Sequence, residues 1–353
     1  MNRKLPVAVL GATGVVGQRL VRRLACHPWF ELTTLAASER SAGKRYADAC
    51  AWRLPGEPDA GFADRPVVAC DAARIDEPLV ISALDATIAR EVEPALARRG
   101  ALVCSNASAF RMSADVPLLV PEVNADQVDL VLAQRSSGSR GAIVCNPNCT
   151  TTVLVLALKP LADAFGIDAV SMTSLQALSG AGWPGVASLD ATANVVPFIG
   201  GEEEKVEEEA TKILGAFTSA PRPAIQVAPF VVSAQCTRVP VVDGHTEAIG
   251  VKLRGAPSQD AVVAALRAFR SPFLDLELPS MPATLVRVHD ANDRPQPRRD
   301  VERDDGMSVH VGRVRRCSLL GIKFIALGHN AERGAAGGAL LTAELLVRKG
   351  IVS

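Results

Sequence analysis

Pro6-Val-Ala-Val-Leu10 runs straight into Gly11-Ala-Thr-Gly14-Val-Val-Gly17, and this stretch decides the fold. An apolar run of strand length feeds a glycine loop, and Gln18 to Ala25 continues as a helix. Glu31 to Ala36 then reads as a second strand, closing a strand-loop-helix-strand unit. A G-x-x-G-x-x-G string is a weak signal alone, because many apolar loops match it. Placed directly after a first strand, it is the context that a dinucleotide-binding loop requires. Glycines let a pyrophosphate approach the backbone, and the helix N-terminus meets its charge.

Working outward, the alternation continues. Pro66 to Ala69, Leu79 to Leu84, Leu102 to Cys104, Leu118 to Val120 and Ala142 to Cys145 read as strands. Ala89 to Arg99 reads as a helix stopped by Gly100. Strands alternating with helices predict a parallel, doubly wound sheet. The character changes after Cys149. Ala169 to Ala177 alternates like a strand with one wet face, and Ile225 to Val232, Gln235 to Val242 and Thr246 to Leu253 follow as β-type runs. Asp243-Gly244 between two of them predicts a hairpin turn. Ala261 to Phe269 reads as a helix capped by Ser258, Leu319 to Leu327 as a strand and Gly334 to Lys349 as an apolar helix. Ser136 to Arg140 and Pro295 to Asp305 read as exposed loops. The expected fold is α/β: a Rossmann-type dinucleotide-binding domain over 1–148, completed by a C-terminal helix in 331–353, and an α+β domain over 149–330 with a mixed, largely antiparallel sheet.

The 353 residues suffice for two cores, and 48% apolar with 22% charged content is ordinary for a globular chain. Lys plus Arg equals Asp plus Glu at 38, so net charge gives no support for nucleic acid or an anionic membrane as partner. No apolar run has the length of a membrane span. The run after Arg3-Lys4 breaks at Gly11, so it reads as a strand and not a signal peptide. Eight cysteines are scattered without a Cys-x-x-Cys pair, which argues against zinc, and no metal site is expected. A reduced, cytoplasmic protein is the simplest expectation.

The chemistry gathers at Ala142-Ile-Val-Cys-Asn-Pro-Asn-Cys149-Thr-Thr-Thr152. Cys149 ends a strand-like run and precedes an apolar segment, Val153 to Leu158, that reads as a helix. A thiol at a helix N-terminus meets free backbone N–H groups and the positive end of the dipole, which favour thiolate and can hold an oxyanion. Without its neighbours, such a cysteine would read as a buried structural residue. Cys145, four residues earlier, keeps that reading. After the second strand, Ser38, Arg40, Ser41 and Lys44 offer a cradle for a 2′-phosphate, so NADP is expected over NAD, with Glu39 pointing away.

These segments resemble the aspartate-β-semialdehyde dehydrogenase family, nearest its archaeal and fungal branch. The matching stretches are Asn146-Pro-Asn-Cys149-Thr-Thr, Leu175-Gln176-Ala-Leu-Ser179-Gly180-Ala-Gly, and Arg238 seven residues before His245. Ser105-Asn-Ala-Ser-Ala-Phe-Arg111, Ile199-Gly-Gly-Glu202-Glu-Glu-Lys205, and Asn330 with Arg333-Gly-Ala-Ala-Gly337 agree in order. The resemblance implies NADPH-dependent reduction of L-aspartyl-4-phosphate to the semialdehyde, in lysine, threonine and methionine biosynthesis. A malonyl-CoA reductase of the same fold is the alternative. It implies Cys149 as nucleophile, His245 as acid/base and Gln176 orienting the acyl group. Arg238 would grip the substrate carboxylate, Arg111 and Lys205 the acyl phosphate, and Glu202 the substrate amine. Gly11, Thr13, Gly14, Val15, Val16, Gly17, Ser38, Arg40, Ser41, Ser82, Ser179, Gly180 and Asn330 would hold the cofactor. A homodimer or homotetramer is implied. Taken alone, the run Glu202 to Glu209 would be a solvated helix face, and Arg111 a surface arginine. Asp85, Gly328 and Glu332 depart from the family pattern and bear on cofactor binding.

Overall fold

The computed structural model describes residues 4–352 except 137, 220, 221, 272 and 273. Residues 1–3 and 353 at the ends of the expected domains, and residue 137 of the expected Ser136–Arg140 loop, lie outside it. Six strands are parallel: β1 (Leu5–Leu10), β2 (Phe30–Ala37), β3 (Val67–Ala69), β4 (Leu79–Ser82), β5 (Leu102–Ser105) and β6 (Ala142–Cys145). Their order is β3-β2-β1-β4-β5-β6, so strand order reverses at β1/β4, where open α/β sheets bind ligands. Helix α1 (Val15–Leu24) leaves the glycine loop beside β1, and α2 (Ala86–Arg99) follows β4. Gly100 ends α2 at φ +114°, a conformation that glycine adopts without steric cost. Leu118 to Val120 is not a strand; only Leu118 bridges to Cys145.

Helix α3 (Cys149–Phe165) passes into the second layer and is buried almost throughout. An apolar surface on all sides suits a helix packed in a core rather than on one. It lies against a mixed sheet formed by β7 (Ile167–Gln176), β10 (Val231–Arg238), β11 (His245–Leu253), β12 (Val286–Val288), β13 (Val309–Cys317) and β14 (Gly321–Gly328). The short strands β8 (Ala216–Thr218) and β9 (Ala224–Gln226) pair apart from it. The order is β10-β7-β11-β14-β13-β12. Helix α4 (Glu202–Ile213) packs on β10 and α3, and α5 (Gln259–Ala268), capped by the Ser258 hydroxyl, packs on α3. The chain then returns through a π-turn at Glu332–Ala336 into α6 (Gly337–Arg348), whose apolar face joins the core of the first sheet.

Three further expectations fail, wholly or in part. Asp243-Gly244 is not a hairpin turn, because β10 and β11 do not pair. They lie on opposite edges of β7, β10 parallel and β11 antiparallel to it. The run expected as Ile225 to Val232 breaks at Ala228-Pro229, which lack the continuous donors a ladder needs. Pro295 to Asp305 is also only partly a loop, since Pro297–Asp300 is a helical turn and Asp300 is fully buried.

The unusual Glu332 has a structural role. Its buried carboxylate takes Arg19 Nη1 at 2.7 Å, Arg22 Nη2 at 3.0 Å and Arg23 Nε at 2.6 Å, all from α1. Burial alone would raise its pKa, but Arg23 and Arg19 outweigh burial and hold it below the usual carboxylate range. A depressed carboxylate pKa gives stability that is present above the unfolded value and lost as pH falls through the folded one. Glu332→Ala therefore strands cations at the seam between α1 and the return segment, and chemical denaturation at pH 7 should show a loss of about 3 kcal/mol. A loss that does not shrink as pH is lowered below 4 would refute the ionic origin.

Candidate active site

The sheet register assembles the site. On β7 and β11 every second residue faces α3, while β10 packs against α4. Arg238 lies opposite Gln176, and His245 stands beside them at the start of β11. Cys149, the first residue of α3, is capped by Asn148, whose side chain accepts from the N–H groups of Thr150 and Thr151 at 2.8 and 3.2 Å. Its Sγ lies 3.2 Å from His245 Nε2. Gly180 closes over this pair. A Cβ there would stand 2.7 Å from Arg238 Nη1 and 2.9 Å from His245 Cε1, so the site admits no side chain at that position. Gly334 likewise leaves room for Cys149, since a Cβ would come within 2.6 Å of the cysteine Cβ.

His245 is fully buried, and its Nδ1 accepts from the Ala177 N–H at 3.1 Å. That bond assigns the ring proton to Nε2, the nitrogen facing sulfur. Burial, then Arg238 and His329, push the imidazole down to about 3. Cys149 is partly exposed, yet the sulfur sits among buried groups, and burial followed by Glu202 pushes the thiol up to about 12. Arg111, the Thr150 N–H and Arg238 pull the other way without winning. The expected thiolate is thus not the resting state: desolvation exceeds what one helix N-terminus supplies.

The other proposed substrate groups converge. Gln176 donates to Thr150 Oγ1 at 2.8 Å and Glu202 Oε1 at 3.0 Å, and its Oε1 accepts from Arg238 at 3.3 Å. Arg238 also donates to the Ala177 carbonyl at 2.8 Å. Glu202 Oε1 accepts from Asn148 Nδ2 at 2.9 Å, which leaves Oε2 near Lys205 Nζ at 3.8 Å. Arg111 donates to Glu209 Oε1 at 3.0 Å and to the Asn106 carbonyl at 2.7 Å. It is buried, not a surface arginine.

The run Glu202 to Glu209 is correspondingly not a solvated face, since Glu202 and Glu209 are both buried. Glu209 escaped the sequence reading, though it lies seven residues after Glu202 on the same helical stripe. Glu247 escaped it too. It occupies the next row below His245, opposite Ser174, fully buried with no partner among the described residues. Burial holds its carboxyl well above the usual range, so it is a neutral acid. Alternation along β11 from His245 would have placed it inward.

The glycine loop has the form of a phosphate cradle. A Cβ at Gly11, where φ is +72°, would lie 2.6 Å from the Ala83 carbonyl, and one at Gly17 would lie 2.1 Å from the Gly11 carbonyl. Gly14 caps α1 without a side chain, so the N–H groups around Val15 and Val16 stay open beside Thr13. Ser38 and Arg40 stand exposed after β2 with Ser41 turned back on Ser38. Ser179 Oγ accepts from Asn330 Nδ2 at 2.8 Å, while Asn330 Oδ1 holds the Gly244 N–H at 2.9 Å. Ser82 is fully buried at the end of β4, so its hydroxyl is not on the groove surface. Asp85 is not turned toward the site in any special way; it caps α2 through Thr87 and Ile88 N–H.

Two other groups of histidine and carboxylate approach metal-like spacing. At His329, Nδ1 accepts from the N–H groups of Ala331 and Glu332, so Nε2 carries the proton and has no lone pair for an ion. At His310, Nδ1 is spent on His289 Nε2 at 3.0 Å, amid Arg287, Arg294 and Arg303.

Comparison with known proteins gives a consistent picture. Residues 6–131 match the semialdehyde dehydrogenase NAD binding domain, and residues 158–332 the semialdehyde dehydrogenase dimerisation domain. The chain is 50% identical to the aspartate-semialdehyde dehydrogenase of Archaeoglobus fulgidus, over 98% of this chain and 99% of the other. It is 42% identical to that of Saccharomyces cerevisiae, over the whole of both. The crystal structure of the Candida albicans aspartate semialdehyde dehydrogenase with NADP superposes with a TM-score of 0.92 at 42% identity, covering 98% of this chain and 99% of that one. The Vibrio cholerae enzyme II complexed with ASA follows at 0.76 and 27%, with 98% and 99% covered.

The neutral thiol–imidazole pair has a measurable signature. Iodoacetamide should alkylate Cys149 of the free protein at a rate rising about tenfold per pH unit from pH 6 to 9, without a plateau. A plateau below pH 7, the mark of a thiolate–imidazolium pair, would refute this assignment.

Proposed function

The chain belongs to the aspartate-semialdehyde dehydrogenase family, and from that premise we propose that it reduces L-aspartyl-4-phosphate to L-aspartate-4-semialdehyde with NADPH, reversibly, through a thioester on Cys149. The observation that carries the reading is the 3.2 Å contact of Cys149 with His245 at the start of a buried helix, with Arg111 and Arg238 acting on the sulfur and Lys205 beside Glu202. Three cations suit a substrate with a carboxylate at one end and an acyl phosphate at the other. The product would serve lysine, threonine and methionine biosynthesis.

The thiolate of Cys149 attacks the β-acyl carbon, and phosphate departs toward Arg111 and Lys205, leaving a thioester. The nicotinamide supplies hydride to that thioester. Collapse of the thiohemiacetal oxyanion then re-forms the aldehyde C=O and expels Cys149 as thiolate. The Cys149 thiol gives up its proton as it attacks, and that proton leaves with the phosphate; a proton from solvent restores the thiol after the thiolate is expelled. His245 is set for this sequence as a donor. Its Nε2–H can bond to the departing sulfur or to the thiohemiacetal oxygen, while Ala177 keeps Nδ1 from taking a proton. That is a narrower role than the general acid/base expected from the sequence. Gln176 and Arg238, bonded to each other, hold the acyl group and the α-carboxylate. Glu202 Oε2 is placed to accept from the substrate ammonium.

The cradle at Gly11, Gly14 and Gly17 fits a dinucleotide pyrophosphate, and the exposed Ser38 and Arg40 with the half-buried Ser41 support NADP over NAD. Ser179, Gly180 and Asn330 flank His245 and Arg238 and would meet the nicotinamide end. For assembly, the outer face of the second sheet carries Leu175 and Ala248 exposed beside Arg315 and Lys323, with Leu319 exposed at the β13–β14 turn, and this face supports a homodimer. No helix among the described residues is long and apolar enough to cross a membrane.

The decisive assay is phosphate-dependent reduction of NADP by aspartate semialdehyde. The wild type should be active, Cys149→Ser inactive with NADPH binding intact, and malonyl-CoA should not replace aspartyl phosphate in the reverse direction. Turnover of malonyl-CoA at comparable efficiency, or activity surviving in Cys149→Ser, would overturn the reading. In the same assay Arg40→Ala should weaken NADP binding about tenfold or more, the scale of one lost charge-assisted hydrogen bond, with little effect on NAD. Equal loss with both dinucleotides would remove the 2′-phosphate contact.

A further inference from the structure

Helix α4 carries one stripe of charged side chains turned toward the site: Glu202, Lys205, Glu209 and Lys212, spaced three, four and three apart. The first two belong to the substrate groups already described. The last two touch Arg111 instead. Glu209 Oε1 accepts from Arg111 Nη1 at 3.0 Å, and Glu209 Oε2 accepts from the backbone N–H of Asn148 at 2.6 Å. Lys212 Nζ donates to the carbonyls of Arg111, Ser113 and Val116 at 2.7, 2.8 and 2.9 Å. The arginine's backbone and side chain are thus both fixed by the same helix, and Glu209 fixes at the same time the residue before the nucleophile.

We propose that Glu209 is a positioning residue for the acyl-phosphate site, holding the Arg111 guanidinium and the Asn148–Cys149 peptide in one fixed relation. This rests on the reading of Arg111 as a phosphate group. One carboxylate has two oxygens, and each is committed to a different catalytic segment. Arg111 Nε is buried and has no partner among the described residues, so the guanidinium keeps a donor edge unused by the fold. An arginine 8% exposed needs a compensating charge and a locked rotamer before that edge can point at an incoming anion. Glutamine cannot replace Glu209. With its Oε1 on Arg111, its Nε2 would face the Asn148 N–H, donor against donor; reversed, it would face the guanidinium. Either Arg111 or the peptide before Cys149 is released.

The test compares Glu209→Gln, Glu209→Asp, Arg111→Ala and the double variant Glu209→Gln/Arg111→Ala in the semialdehyde-oxidising direction. Glu209→Gln should raise the KM for phosphate about tenfold or more, with the KM for aspartate semialdehyde and NADP within about twofold of wild type. Glu209→Asp, one methylene short of both partners, should show the same phosphate-selective defect more weakly, and it decides the matter if the glutamine variant does not fold. The double variant should be no worse toward phosphate than Arg111→Ala alone, because Glu209 acts through Arg111. A readout without turnover is the protection of Cys149 from iodoacetamide by inorganic phosphate, whose half-protecting concentration should shift by the same factor. A phosphate KM within about twofold of wild type, a parallel rise in all three KM values, or multiplying effects in the double variant would each overturn the proposal. If wild type does not turn over the semialdehyde at all, the functional reading fails instead. Phosphate protection in Glu209→Gln then still judges Glu209.

Discussion

The first turn of the helix Cys149–Phe165 is the constraint on which the site depends. A helix apolar on every side can bury itself between other elements, but its first four N–H groups then need partners inside the protein. Asn148 takes two of them. Carboxylates of α4 hold the capping residue itself: Glu209 accepts the Asn148 backbone N–H, and Glu202 accepts from the Asn148 side chain and so fixes it in its capping position. This is why a helix rich in glutamate packs its charged stripe inward. The acids satisfy the end of α3, and their charge draws in Arg111 and Lys205. The cationic wall proposed to bind the acyl phosphate follows from a helix-capping requirement.

The sheet supplies the opposite wall by register alone. Because side chains repeat every two residues, Arg238, Gln176 and His245 share a level, and Cys236, Ser174 and Glu247 share the one beneath. The lower row is buried and carries no resolved ion pair, with Glu247 held neutral by its surroundings. Such a floor gives little dielectric screening to the row above. Charges there cost desolvation and interact strongly, which is why the imidazole is neutral and the thiol protonated before substrate arrives.

Much of this was legible in the sequence. The glycine loop after an apolar strand specified the parallel sheet, since no other use of that loop needs a helix immediately behind it. Cys149 stood out by its place before an apolar helix, and His245 and Gln176 through the family resemblance; the structure brings the three side chains together. Other features were not, for identifiable reasons. Asp243-Gly244 has hairpin chemistry, but β7 lies between the strands it joins, and a local turn signal carries no information about a third strand. Strand β13, Val-His-Val-Gly-Arg-Val-Arg-Arg-Cys, hid behind its arginines, which line an outer face that sequence polarity assigns to loops. Glu209 was masked because a run of glutamates looks solvated unless the helix-end donors it must satisfy are known. Glu332 looked like a deviation from a cofactor motif, whereas its three partners lie some three hundred residues away on α1.

The raised thiol and the required nucleophile are reconciled by charge balance. After burial, the strongest influence against thiolate is the Glu202 carboxylate, and those in its favour are Arg111, the Thr150 N–H and Arg238. The proposed substrate brings an ammonium to Glu202, which cancels that carboxylate's field at sulfur. Its own anionic ends would at the same time weaken the two arginines, so charge alone would be nearly even. The geometry breaks the tie. The His245 Nε2–H is a neutral donor aimed at sulfur, which substrate does not neutralise, and which gains strength as substrate excludes water. A free site that keeps its cysteine protonated also guards it from oxidation and stray acylation, since only thiolate reacts readily. On the proposed function, nucleophilicity in this architecture is therefore a property of the complex, favoured by a neutral donor at sulfur that strengthens as substrate closes the site to water.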